Sequence, residues 1–389
     1  MVGPRPSDAT LRLLADLVAM DTTSRDPNLA LIAYVEELLA AHGIAHERVP
    51  NVDGTKAGLI AQIGPDRPGG VVLSGHTDCV PVDGQPWTRP PFALTEEGGR
   101  VYGRGTSDMK GFLATVLAAV PAMAAAELAR PIQLALTFDE ELGTIGAPSV
   151  VDGLLARFPR PDAVLIGEPT LMEVVNAHKG VRAFLVTATG KDGHSSQPHL
   201  AANAITAITR VAGRIADLAE AHRAAAADPR FDPPYTTFNL GLVSGGQALN
   251  IVPRQAELTF EFRPVPADDT AAIADELRRY ANEEVVPHLR RDTGVGDITF
   301  EVLAVARALA AEPAGTAEAL ARQLSGYTGP ARTVPFGTDG GHFQAAGLST
   351  VVIGPGSIEQ AHQPDEWIAL AELAAAERFL GDLIGHLST

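Results

Sequence analysis

Five groups of acidic and imidazole side chains each stand at the end of an apolar run. They are Ser74-Gly75-His76-Thr77-Asp78, Thr106-Ser107-Asp108-Met109, Asp139-Glu140-Glu141, Gly167-Glu168-Pro169-Thr170 and Ala361-His362-Gln363-Pro364. Carboxylates and imidazoles gathered in one place suit hydrolytic metal ions such as zinc and do not form a phosphate cradle. His76 and Asp78 are two residues apart at a strand end, so their side chains share one side. A metal-binding imidazole usually donates its other N–H to an acceptor, and Asp78 is placed to be that acceptor. Asp108 opens a helix, where a carboxylate also complements the helix dipole, although taken alone a plain helix cap is the better reading of it. Glu140 and Glu141 are neighbours after an extended run and point different ways. One can bind metal while the other faces the attacking water.

Other motifs carry less. His42, His46, His222, His288 and His386 read as packed or solvated side chains, and a Glu-Glu pair by itself is usually a solvated face. Cys79 reads as a small buried residue turned away from His76 and Asp78 by the pleat. Gly103-Arg104-Gly105 and Gly245-Gly246 lack the spacing of a phosphate loop or dinucleotide fingerprint. No Gly-x-Ser-x-Gly elbow is present, which disfavours a serine hydrolase.

The elements that must position these groups alternate in the first half. Val71–Leu73, Ile132–Phe138 and Ala163–Ile166 are short continuous apolar runs, the pattern of strands buried on both faces, and Gly58–Ile63 joins them. Helical periodicity covers Thr10–Met20, Leu29–Ala41, Lys110–Ala126 and Gly146–Phe158. The fold class is therefore α/β: a mainly parallel mixed sheet with helices on both faces. In such sheets chemistry collects in loops beyond the carboxyl ends of the strands. After Lys179 the pattern changes to strand Val181–Thr189, helix Ala201–Ala225, strands Thr237–Val243 and Gln255–Phe262, helix Asp269–Leu289 and strand Asp297–Leu303. That order suits a small α+β module inserted into the larger domain. The expected division is 1–178 and 307–389 for the metal-binding domain, with 179–306 inserted.

At 389 residues the chain exceeds the usual single core, so two domains are the default. With 46% hydrophobic and 20% charged residues it has an ordinary globular composition. A net charge of −17 argues against nucleic acid as a partner. One cysteine allows no intrachain disulfide and no Cys-based zinc site. The first residues show no apolar signal core, and the apolar stretch Phe112–Ala126 contains Pro121 and is too short to span a bilayer. A cytoplasmic enzyme without membrane contact is the expectation.

The motifs resemble those of the di-zinc aminoacylase and carboxypeptidase metallopeptidase family. The resemblance covers nearly the whole chain. It rests on Ser74–Asp78, Tyr102–Gly111, Gly167–Thr170, Ala177-His178-Lys179-Gly180 and the long stretch Gly354–Glu366. It implies a zinc-exopeptidase-like catalytic domain with a lid and dimerisation domain inserted. It implies two divalent ions, zinc first, with cobalt or manganese as alternatives, bridged by Asp108. His76 and Glu168 would complete one site, and Glu141 and His362 the other. Glu140 matches the family's general base and Asp78 its histidine-orienting acid. His194 matches a residue lent across a homodimer to the substrate carbonyl. Asn250, Arg263, Thr338 and the main chain of Gly354 and Gly356 match substrate contacts. The resemblance also implies a cis peptide at Asp108–Met109. The reaction implied is removal of an N-acyl group from a small-molecule N-acyl amino acid, nearest to the branch that deacetylates N-acetyl-L-ornithine. Gly337-Thr338-Asp339-Gly340-Gly341 departs from that branch toward the succinyl-diaminopimelate desuccinylases. Other N-acyl-amino-acid deacylases and dipeptidases of the family are the remaining alternatives.

Overall fold

The computed structural model describes residues 4–389. Two compact units are present: one comprises the chain up to Ala177 with Leu309–Thr333 and Thr338–Thr389, the other His178–Ala308 with Val334–Gly337.

The first unit is built on an eight-stranded mixed sheet. Val71–His76 lies between Ile132–Thr137 and Ala163–Ile166, parallel to both, and Thr350–Val352 pairs parallel with Ala163–Ile166. Antiparallel pairing appears outside this centre, where Ala57–Ile63 joins Ile132–Thr137 and Ala45–Pro50 joins Ala57–Ile63. Every residue of Ala57–Ile63, Val71–His76, Ile132–Thr137 and Ala163–Ile166 is buried. Helices cover both faces, so side chains on either side of the pleat meet apolar neighbours, and the strands read as largely apolar runs interrupted by Gln62, Ser74 and Gln133. The edge strand Ala45–Pro50 is largely exposed and polar, so no apolar pattern marks it in the sequence. Helix Asp8–Ala19 starts where the Ser7 hydroxyl accepts the Thr10 N–H. Two short strands, Thr95–Glu97 and Arg100–Tyr102, form a small separate sheet with Trp367–Ala369.

The second unit has the order βαββαβ. Its four-stranded antiparallel sheet runs Thr237–Gly245, Gln255–Arg263, Val181–Thr189, Asp297–Ala306. Residues of Gln255–Arg263 alternate between buried and half-buried, and Phe184, Phe260 and Phe262 stack beneath the helices, with 5.3 Å between the rings of Phe184 and Phe260. Helix Ala204–Ala225 begins later than the Ala-rich pattern suggests because the Asn203 side chain caps it at Thr206 N–H. The single helix expected over Asp269–Leu289 is broken into Thr270–Tyr280, a π-turn at Ala281–Val285, and Val286–Arg290. Pro287 lies just after the π-turn and has no N–H to give to the α-helical ladder.

Candidate metal centre

Four parallel strands lie side by side in the order Ile132–Thr137, Val71–His76, Ala163–Ile166, Thr350–Val352. Their carboxyl ends deliver the predicted groups to one place. His76 ends its strand, Glu140 and Glu141 follow the next, Glu168 follows the third, and His362 lies in the loop after the fourth. Asp108 lies two residues before helix Lys110–Ala125, whose N-cap is Met109, and the Asp108–Met109 peptide is cis.

Two trios of donor atoms result. In His76, Asp108 and Glu168, and again in Asp108, Glu141 and His362, the ligand-type atoms lie within 4.8 Å of one another. Asp108 belongs to both. Its Oδ1 is 2.9 Å from His76 Nε2, and its Oδ2 is 3.2 Å from His362 Nε2. His76 Nε2 stands 3.7 Å from Glu168 Oε1, and His362 Nε2 stands 3.1 Å from Glu141 Oε2. A tetrahedral ion with bonds of ~2.0–2.2 Å needs its donors about 3.3–3.6 Å apart, so these spacings suit such an ion with small adjustments. His76, Asp108 and Glu168 are buried, whereas His362 is half exposed.

The charges point the same way. Burial, reinforced by neighbouring carboxylates, pushes Glu140, Glu141 and Glu168 above the ordinary carboxylate range. Burial opposes a charged His76, yet Asp108, Glu168 and Asp78 outweigh it and lift its imidazole well up. Hydrogen bonds to Asp108 and Glu141 raise His362 to about 10. Burial works against an ionised Asp108, but the two imidazoles hold its carboxyl below the usual value. Acids crowded at a sheet end with two imidazoles between them are short of positive charge, and oxygen and nitrogen donors of this kind suit divalent cations. The residues therefore fit a two-ion site.

Asp78 does more than the spacing suggested. His76 Nδ1 lies 2.9 Å from the Asp78 main-chain carbonyl, while the Asp78 carboxylate is 3.6 Å away. That carboxylate instead accepts the N–H groups of Glu140 at 3.2 Å and Glu141 at 3.3 Å, and the Ser24 hydroxyl at 2.7 Å. Asp139 before them takes a left-handed conformation, φ 54°, and pairs with Lys56, which also donates to the Ser24 carbonyl. One residue thus orients the His76 imidazole through its backbone and the Glu140-Glu141 turn through its side chain.

The other predicted contacts are distributed. Gly354 gives its N–H to Thr170 Oγ1 at 3.2 Å, and its carbonyl accepts Met172 N–H at 2.9 Å. The Gly356 carbonyl accepts Leu171 N–H at 2.7 Å, and its backbone also bonds Glu372. Thr338 is fully buried, with its hydroxyl accepting the Gly340 N–H at 3.0 Å. In the second unit, the short ladder of Gly193–His194 with Ile251–Val252 brings His194 and Asn250 together, and Ser195 N–H donates to the Asn250 carbonyl at 3.0 Å. His194 is exposed, and its Nδ1 accepts from the Ser196 hydroxyl at 2.7 Å. Arg263 ends strand Gln255–Arg263 and pairs with Glu261 at 3.1 Å.

Sequence reading assigned no role to Glu366. It is 1% exposed, and it accepts Gly105, Ser107 and Asp108 N–H at 3.0, 2.9 and 3.1 Å, and Arg104 Nη1 at 2.7 Å. It thereby shapes the loop that presents Asp108. Its partners lie more than 250 residues away in sequence, so no spacing could reveal them. Asp339 is the other addition: Thr137 Oγ1 donates to its Oδ2 at 2.6 Å, and burial raises it to about 6. Glu366→Ala is expected to destabilise the protein by ~3–5 kcal/mol, because it strands the buried Arg104 charge. Equilibrium denaturation measures this, and a loss under ~1 kcal/mol would show that the clamp is dispensable.

A buried βα scaffold with two carboxylate–imidazole trios at its strand ends defines a metal-dependent hydrolase. Residues 72–386 match the peptidase family M20/M25/M40, and the chain belongs to that family. It is similar to an acetylornithine deacetylase of Myxococcus xanthus, 36% identical over 96% of both chains. A second acetylornithine deacetylase, from Proteus mirabilis, is 35% identical over 94% of this chain and 92% of its own. Its fold is shared with an M20 family metallo-carboxypeptidase from Sulfolobus solfataricus, with a TM-score of 0.74, 19% identity and coverage of 98% and 99%. It is also shared with a dinuclear metal-binding M20 peptidase of Bacillus subtilis, with a TM-score of 0.65, 18% identity and 98% coverage of both chains. Among the described residues no helix is long and apolar enough to cross a membrane.

Proposed function

We propose that this chain hydrolyses N-acetyl-L-ornithine to L-ornithine and acetate, a step of arginine biosynthesis, as a cytoplasmic zinc enzyme. The observation that carries the chemistry is the sharing of Asp108 between two donor trios, with Glu140 beside them and outside both. The substrate follows from the deacetylase relatives that match nearly the whole chain. His76, Asp108 and Glu168 would hold one ion, and Asp108, Glu141 and His362 the other; bound there, the ions would supply Lewis acidity and bring the pKa of water toward ~7. Glu140 takes the proton of the attacking water and returns it to the leaving nitrogen. Arg263 grips the substrate α-carboxylate as a planar fork, with Asn250, Thr338 and the Gly354–Gly356 main chain completing the site. His194 donates to the developing oxyanion.

A panel of N-acetyl-L-ornithine, N-succinyl-diaminopimelate, other N-acyl amino acids and dipeptides tests this reading. The highest kcat/KM is expected for acetylornithine. A higher value for the succinyl substrate would favour the desuccinylase reading suggested by Gly337–Gly341.

A two-fold dimer is part of the proposal. Strand Thr237–Gly245 is a sheet edge, and its Leu242 and Val243 are 71% and 72% exposed. An open apolar edge of this kind favours pairing with a second copy. In a two-fold assembly each subunit lends what it borrows, so His194 would serve the partner's metals. His194→Ala is expected to lower kcat by ~10²–10³-fold. Mixing it with inactive Glu140→Gln under subunit exchange should restore one working site per heterodimer. Demonstrated exchange without recovery would remove the shared-site arrangement.

A further inference from the structure

A cavity of about 140 Å³ lies in the second unit between helix Ala204–Ala225 and the segment that follows the π-turn. Ala207, Val285 and Leu289 give it an apolar floor, and all three are buried. Arg210, His288 and Asp292 stand at its polar side.

The donors there do not balance. Arg210 Nη2 is 3.0 Å from His288 Nε2, and Arg291 Nη2 meets Nδ1 of the same ring. A guanidinium only donates, and a neutral imidazole accepts at one nitrogen alone, so one of these contacts sets N–H against N–H. Partial burial, Arg210 and Arg291 push the imidazole below its ordinary value, against Asp292, which acts the other way. Among the described residues no ion pair within 4 Å joins Arg210, Arg291 or Asp292 to a side chain of opposite charge. The polar side of the cavity thus presents one cation, Arg210, and one anion, Asp292, above the apolar floor. π-turns recur at functional sites, and one directly precedes Val286–Arg290.

We propose that this cavity binds a free α-amino acid, with its carboxylate on Arg210, its ammonium on Asp292 and an apolar side chain on the Ala207–Val285–Leu289 floor. The carboxylate takes the Arg210 donors, which leaves the single imidazole lone pair to Arg291. Pro198 and Ala201 also line the cavity. A run of turns links them to His194: Gln197 N–H donates to the His194 carbonyl at 2.9 Å, and Ala201 N–H to the Pro198 carbonyl at 3.2 Å. Occupancy thus bears on the segment that carries His194, and the bound amino acid acts as an effector rather than a substrate.

Calorimetric titration of the metal-loaded enzyme with L-valine tests this. Binding is expected in the wild type and should weaken about tenfold or more in Arg210→Gln and in Asp292→Asn, each of which removes a charge-assisted hydrogen bond. Both residues are exposed, so the variants should fold, and their hydrolysis without added valine should match the wild type. In the wild type alone, L-valine should change KM. Identical titrations of wild type and Arg210→Gln would overturn the site. So would inorganic phosphate binding as tightly as valine in both wild type and Asp292→Asn, which would mark a bare anion site. The readout is binding, so it is independent of which amide the enzyme cleaves.

Discussion

Glu140→Gln is expected to reduce kcat by ~10²–10⁴-fold while metal content stays unchanged, the usual cost of removing a general base. Glu140 is half-buried, beside both donor trios and a member of neither. Its main-chain N–H is held on the Asp78 carboxylate at 3.2 Å, so glutamine inherits the same backbone position and nearly the same shape. What the amide loses is the ability to accept a proton. Glu141→Gln is the contrasting variant. Glu141 lies 3.1 Å from His362 Nε2 within a trio, so its loss should lower metal content as well as turnover. Steady-state kinetics with elemental analysis on both variants separates the roles. A near-normal kcat in Glu140→Gln would move proton transfer to another group.

Asp108→Ala is expected to abolish turnover and empty both ion positions together. The two trios have only Asp108 in common, with one carboxylate oxygen toward each imidazole, so a single deletion removes a ligand from each. His362→Ala should leave His76, Asp108 and Glu168 intact and weaken one position alone. Metal content measured after dialysis distinguishes the cases: loss of both for Asp108→Ala, loss centred on one for His362→Ala. Full double occupancy in Asp108→Ala would refute the bridging arrangement.

Much of this centre was legible because buried parallel strands announce themselves. Val71–His76, Ile132–Thr137 and Ala163–Ile166 are covered on both faces, so each reads as a largely apolar run with a chemically capable residue at its end or shortly after it: His76, Glu140 and Glu168. What escaped the sequence was held by exposed or distant partners. The edge strand Ala45–Pro50 carries no apolar pattern because it faces solvent. The strands Thr95–Glu97, Arg100–Tyr102 and Trp367–Ala369 have three residues each, too few for a period to show. The π-turn at Ala281–Val285 interrupts a segment whose hydrophobic spacing alone reads as one helix.

Residue type and position along the chain determined which side chains could bind metal, because a carboxylate or imidazole at the carboxyl end of a buried strand has little to do in packing. Tertiary structure alone decided how they are shared. That Asp108 faces both His76 and His362 depends on strands pairing in an order the sequence does not follow. That Asp78 spends its carboxylate on the Glu140 and Glu141 N–H groups, and that Glu366 binds the loop at Asp108, depends on hydrogen bonds spanning 62, 63 and 258 residues. Such bonds are selected by the need to satisfy buried polar groups, a requirement that arises only once the chain has excluded water from around them.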